Sequence, residues 1–135
     1  MKIAPGLVVC ALLISSTVRA QNATSEYQSW MKSNAATIAD LNKNLTGKTT
    51  GPATADVRTL RENLAKIAIY WQVRNVSDGP KFALQADYAL AKVSQLAAEG
   101  KFDEASAAIK TVQANCAGCH MAHREQTADG SFRIK

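Results

Sequence analysis

Three features are missing from this sequence of 135 residues. It has almost no strand signal, because valine, isoleucine and threonine are dispersed among abundant alanines, which argues against a β fold. It has no apolar run of the about 20 residues that a membrane span needs. Its 16 lysines and arginines are spread along every segment rather than clustered. Neither a nucleic-acid site nor a polybasic membrane site is therefore indicated.

The first 20 residues have the pattern of a secretory signal peptide. Lys2 precedes an apolar run over residues 6–14, and small or aliphatic residues end the segment at Ala20. The run is about half as long as a membrane span, so we predict a cleaved signal at residues 1–20 rather than an anchor. We expect an exported, periplasmic protein with no integral membrane span, whose mature chain, residues 21–135, forms one domain.

Apolar residues of the mature chain recur at spacings of three and four, which predicts helices. The predicted helices cover residues 25–45, 54–74, 81–99 and the segment that starts near 102. Ser25 is the expected N-cap of the first, and Gly100 is expected to end the third. Helices of about five turns with short or medium connections favour an all-α, antiparallel up-down-up-down four-helix bundle.

The residues expected to face the core share this helical spacing. They are Tyr27, Met31, Ile38, Leu41 and Leu45 on the first helix; Val57, Leu60, Leu64, Ile67, Trp71 and Arg74 on the second; Phe82, Ala86, Ala89, Val93 and Leu96 or Ala97 on the third; and Ala105, Ile109, Val112, Cys116, Cys119 and His123 on the fourth.

The run Cys116-Ala117-Gly118-Cys119-His120 is the attachment signature of haem c. Two thiols three residues apart lie on one side of a helix, where they can add to the two vinyl groups of one porphyrin, and His120 can bind the iron. A disulfide would close only a short loop and stabilise little. A thioredoxin-like site lacks its βαβ frame, and one continuous helix cannot place four ligands around a tetrahedral zinc ion. We predict one haem, held through two thioethers.

With these features the mature chain resembles the class II cytochromes c, which include cytochrome c prime and its low-spin relatives. The resemblance rests on the Cys-Ala-Gly-Cys-His run near the C-terminus, the four-helix pattern, and Arg124 four residues after His120. It implies an exported haem bundle that exchanges electrons with redox partner proteins. It also implies that Tyr70-Trp71 packs on the haem, unless these are plain core aromatics. Arg124 is expected either to pair with a haem propionate or to be stabilised by the helix dipole. Whether the chain forms a homodimer through its first two helices is left open.

The sixth iron ligand decides between two functions. The run Trp30-Met31-Lys32 resembles the segment where low-spin relatives supply a distal methionine, so Met31 is the expected ligand; the alternative is that it only fills core space. With Met31 bound, the protein is an electron carrier. With Met31 unbound, it is a five-coordinate, high-spin binder of nitric oxide or carbon monoxide. His123 lies one turn from His120 and cannot reach the opposite haem face, so we expect it to be satisfied or partly exposed. No acid–base pair for catalysis is apparent, and an enzyme is not expected.

Overall fold

The computed structural model describes the backbone of residues 9–135 and the side chains from Ser25 onward. Four helices make up most of the chain, and a short hairpin follows them. The helices are α1 (Val9–Thr46), α2 (Thr50–Gln72), α3 (Gly79–Ala98) and α4 (Phe102–His123), and the strands are β1 (Arg124–Gln126) and β2 (Phe132–Ile134). The four predicted helices are therefore confirmed. None of the described helices is long and apolar enough to cross a membrane.

The helix ends follow local backbone chemistry, with two departures from the prediction. Gly100, at φ 73°, ends α3 as expected, because glycine adopts the left-handed conformation without steric cost. Ser25 is not an N-cap, since α1 begins at Val9 in the uncut chain. Helix α2 begins at Thr50, earlier than predicted, because Pro52 is tolerated in a first turn, where its missing N–H has no helical partner to lose. The predicted cleavage after Ala20 lies outside the residues whose side chains are described, and it stays a prediction.

The helices form a bundle in chain order. Short connections at 47–49, 73–78 and 99–101 reverse the chain, so successive helices run antiparallel. Each helix packs on its neighbours in the chain, and α1 also contacts α4. The contact between α1 and α4 is the least extensive of the four helix pairs. It is also the one pair without a short connection between its members.

Most residues predicted to face inward are buried. On α2, five of the six expected positions are in the core: Val57, Leu60, Leu64, Ile67 and Trp71. Arg74 is exposed, and that prediction is wrong, because α2 ends at Gln72. The Arg74 guanidinium lies over the buried Tyr70 ring, 3.5 Å from its centre. Leu90, at 0% exposure, replaces half-buried Ala89 as the central core residue of α3.

A short hairpin at the C-terminus was not predicted. Strands β1 and β2 pair antiparallel, with Arg124 opposite Ile134 and Gln126 opposite Phe132. The turn between them uses Gly130 at φ 81°, and the Asp129 carboxylate accepts hydrogen bonds from Thr127 Oγ1, Ser131 N and Ser131 Oγ. Strands of three residues are too short to show an alternating pattern, which is why periodicity missed them.

Candidate functional site

The Cys-x-x-Cys-His run occupies the last turns of α4. Cys119 is buried, Cys116 and His120 are half-buried, and the two thiols are free rather than joined in a disulfide. Their spacing of three residues places both sulfurs on the side of α4 that faces the other helices. His120 lies four residues after Cys116, on the same face of α4, and its side chain lines the same interior space.

A cavity of about 290 Å³ lies inside the bundle along this face of α4. All four helices contribute to its wall, which is mostly apolar and contains no carboxylate, lysine or arginine. Its lining residues are Met31, Asn34, Ala35 and Ile38 of α1; Leu64 and Ile67 of α2; Phe82, Ala83 and Ala86 of α3; and Gln113, Asn115, Cys116, Ala117, Cys119 and His120 of α4. We call it the inner cavity. Because α1 and α4 contact each other so little, the space between them stays open.

A second cavity of about 440 Å³ adjoins the first, and we call it the outer cavity. Four residues line both: Met31 and Ala35 of α1, and Cys119 and His120 of α4. The C-terminal hairpin contributes Arg124 and residues 131–134 to the wall. Unlike the inner cavity, the outer cavity is lined by cations, which are Lys32, Arg124 and Arg133. Met31 and His120 therefore face the same open space from opposite helices.

Burial sets the ionisation of the site. It raises the pKa of the Cys116 thiol, and it raises that of Cys119 to about 11, with a further contribution from the nearby Cys116. Both thiols are thus protonated at neutral pH. Burial, and then the positive charge of Arg124, lower the pKa of His120. The His120 imidazole is neutral at pH 7, which is the form that can donate a lone pair to a metal.

An aromatic cluster supports the site from the side. The Tyr27 ring lies 4.3 Å from Tyr70 and 5.6 Å from Trp71, and Trp71 lies 4.6 Å from the His123 ring, all between centroids. Tyr27 lines the outer cavity, whereas Tyr70 and Trp71 are not part of the wall of either cavity. Burial raises the pKa of Tyr27, so its hydroxyl stays protonated. The contact of Trp71 with a haem stays a prediction, whereas the Trp71 side chain is packed in the core at 2% exposure.

His123 and Arg124 have structural partners at the end of α4. His123 Nε2 lies 3.0 Å from Asp78 Oδ1, and its side chain is 16% exposed, so it is satisfied and partly exposed as predicted. Arg124 is the C-cap of α4, and its guanidinium lies 4.1 Å from the centre of the Phe132 ring. Arg124 also lines the outer cavity. Its pairing with a propionate stays a prediction.

Two parts of the site were missed by reasoning from the sequence. One is the hairpin, which supplies Phe132, Arg133 and Ile134 to the outer cavity. The other is the role of Gly118 inside the motif: a Cβ added there would lie 2.7 Å from Phe82 Cε1, so only glycine lets the Phe82 ring pack this closely on α4. No spacing rule connects positions 82 and 118, but glycine inside a helix is a signal of close packing.

The described residues contain no group of three or more His, Cys, Asp or Glu side chains that could hold a metal ion. A haem iron would not need such a group, because the porphyrin supplies four of its ligands. Comparison of the chain with protein families, with curated proteins and with solved structures found no match.

Proposed function

We propose that this protein is an exported c-type cytochrome with one covalent haem, which carries single electrons between redox partner proteins in the periplasm. One observation carries the proposal. His120 and Met31 line the same pair of adjoining cavities from opposite helices, and Cys116 and Cys119 lie on the cavity side of the His120 helix. A haem c needs this combination of two thiols and an imidazole on one helix, and a second axial ligand needs a donor across the gap.

The cavities fit the chemistry of a haem. A porphyrin is a flat apolar ring that carries two carboxylates at one edge. The inner cavity offers an uncharged, mostly apolar wall, and the outer cavity adds cations. Their volumes of about 290 and 440 Å³ together suit a ligand of this class. When bound, haem would supply a one-electron couple between ferric and ferrous iron.

The residues of the chain have separate tasks in this proposal. Cys116 and Cys119 would each hold the ring to α4 through one thioether. His120, neutral at pH 7, would bind the iron through its imidazole. Met31 would offer its thioether sulfur from α1, and this soft donor would favour ferrous iron and raise the reduction potential. With a protein donor from each of the two helices, little would have to move on reduction, which suits fast electron transfer.

A second function rests on the packing of Met31. Its side chain is partly buried against the core, so it can fill space without binding iron. Ile38, Leu64 and Phe82 would then leave an apolar pocket beside an open iron site. Such a protein would bind nitric oxide or carbon monoxide, as high-spin class II cytochromes are taken to do.

Absorption spectra of the ferric and ferrous protein separate the two functions. If Met31 binds iron, the wild type is six-coordinate and low-spin, and Met31→Ala becomes high-spin and binds carbon monoxide readily. Met121→Ala is the matched control, because Met121 is 75% exposed and should leave the spectrum unchanged. A wild type that is already high-spin, and binds carbon monoxide as readily as Met31→Ala, would refute electron carriage through Met31 ligation and favour gas binding.

Covalent attachment has its own test. Mass spectrometry of the denatured mature chain should show one added haem and cleavage after Ala20. Cys116→Ser and Cys119→Ser should each impair attachment, because each thiol supplies one of the two thioethers. A wild-type mass without haem would rule out the cytochrome proposal altogether.

A further inference from the structure

The wall between the outer cavity and solvent is thin on the side of the hairpin. Arg124, Phe132 and Arg133 line the outer cavity and are also exposed, with Phe132 49% exposed. Cys119 and His120 line the same cavity from the opposite side. An outside molecule could therefore come close to the His120 end of the site from the hairpin side without disturbing the bundle.

The surface over this wall has an apolar centre. Met121 is 75% exposed and Phe132 is 49% exposed, so both present apolar side-chain surface to solvent. Hydrogen bonds tie the end of the hairpin to the last turn of α4: the Lys135 Nζ donates one to the Met121 carbonyl, and the Lys135 N–H donates one to the His123 carbonyl, each at 3.0 Å. We call the surface formed by Met121, Arg124, Phe132 and Lys135 the hairpin surface.

Cations surround this apolar centre. Arg124 stacks on Phe132, Lys135 lies beside Met121, and Lys32 of α1 is exposed at the rim of the outer cavity. Arg133 forms an ion pair with Glu125 at 2.6 Å, so the charges of these two residues cancel. The other acid of the hairpin, Asp129, keeps its negative charge but lies in the turn, at the end of the hairpin away from Arg124 and Lys135. An apolar centre with a cationic rim is complementary to an acidic protein surface.

We infer that the hairpin surface is the docking site for an acidic electron-transfer protein. The inference rests on the proposed function, since it names the partner class of the same site. Cations at the rim would steer an acidic partner and raise its association rate, and Phe132 and Met121 would make the dry contact at the centre. The partner would then lie against the wall of the outer cavity.

The test uses redox-inert paramagnetic ions on the full mature protein, so it does not depend on electron transfer. Hexacyanochromate(III), a trianion, should broaden the amide NMR signals of Met121, Arg124 and residues 132–135 in the reduced protein. Hexaamminechromium(III), a trication, should leave those signals sharp. Broadening by the trianion that is centred elsewhere would overturn the inference, even if mass spectrometry confirms the haem.

Charge reversals make the test quantitative. Lys135→Glu and Lys32→Glu lie on different elements, and each should weaken binding of the trianion about tenfold at about 10 mM ionic strength, where screening is weak. Lys48→Glu, in the connection at the opposite end of the bundle, makes the same charge change and should alter binding less than about twofold. Equal effects of all three would mean that net charge alone attracts the trianion, which contradicts a local site.

Two other occupants are distinguished by the same signals. Loss of the hairpin signals on raising the protein concentration, without probe, would assign the surface to a second copy of this chain. Loss of these signals on addition of phosphatidylglycerol vesicles, but not of an acidic peptide such as hexaglutamate, would assign it to an anionic membrane. Either result would overturn docking of an acidic protein.

Discussion

Replacing Gly79 by alanine tests how tightly the aromatic cluster is packed behind the site. A Cβ added at Gly79 would lie 2.4 Å from Trp71 Cγ, 2.6 Å from Trp71 Cβ and 2.8 Å from Trp71 Cδ1. Trp71 is 2% exposed and held between Tyr27, Tyr70 and His123, so its ring has no free space to enter. Either α3 or the indole has to shift.

Overpacking of this kind destabilises the folded protein by about 1–3 kcal/mol. Replacing glycine by alanine offsets about 0.4–1 kcal/mol of this, because it lowers the conformational entropy of the unfolded chain. We therefore expect Gly79→Ala to lower the free energy of unfolding by about 1–2 kcal/mol. For a domain of this size the midpoint of thermal unfolding should fall by about 4–8 °C, measured by circular dichroism. Gly51→Ala is the control, because nothing lies within 4 Å of its added Cβ, and it should be neutral or slightly stabilising. A Gly79→Ala variant as stable as Gly51→Ala would refute the reasoning.

Two further predictions concern the motif and the hairpin. Gly118→Ala should push the Phe82 ring into the inner cavity and lower the ratio of haem to protein absorbance. Helix α4 should stay helical, because alanine favours a helix by about 1 kcal/mol over glycine. An unchanged absorbance ratio would contradict this prediction. Hydrogen bonds from Thr127 and Ser131 lower the pKa of Asp129 from 3.8 to about 2. The ionised carboxylate therefore stabilises the turn fully above pH 3.8, and this stability is lost as the pH falls through about 2. NMR signals of the hairpin should show that loss in the wild type and not in Asp129→Asn.

Reasoning from the sequence predicted the features that follow from the helical repeat, and it missed those that depend on contacts between residues far apart in the chain. The predicted inward face of α2 is confirmed from Val57 to Trp71, because apolar spacing records which face of a helix is buried. The prediction is wrong at Arg74, which lies beyond the end of the helix, because the local chain determines where a helix ends and apolar spacing does not. The packing of Phe82 on Gly118 joins two helices, and no pattern within either helix records it.

The candidate site likewise has parts that follow from the sequence and parts that do not. The placement of Cys116, Cys119 and His120 on one helix face follows directly from the motif and the helical repeat. The cavities do not follow from the motif, because their size depends on the distance between α1 and α4. That distance is determined by the packing of all four helices. Met31 and His120 line the same cavities, because α1 and α4 run antiparallel and the two residues lie at similar distances from the end of the bundle where α1 ends and α4 begins. Whether sulfur binds iron is a question of bonding that Met31→Ala addresses.

The weak contact between α1 and α4 gives the proposed ligand set a second consequence. Consecutive helices are joined by short connections and pack extensively, whereas the cavities lie between α1 and α4. An iron held by His120 of α4 and Met31 of α1 would bridge the pair that the chain leaves least connected. A metal bond that exists only in the folded protein stabilises that fold. Iron ligation by Met31 would therefore stabilise the bundle as well as adjust the reduction potential. A methionine that only filled space would contribute packing alone, so its loss would destabilise the ferric and the ferrous protein equally.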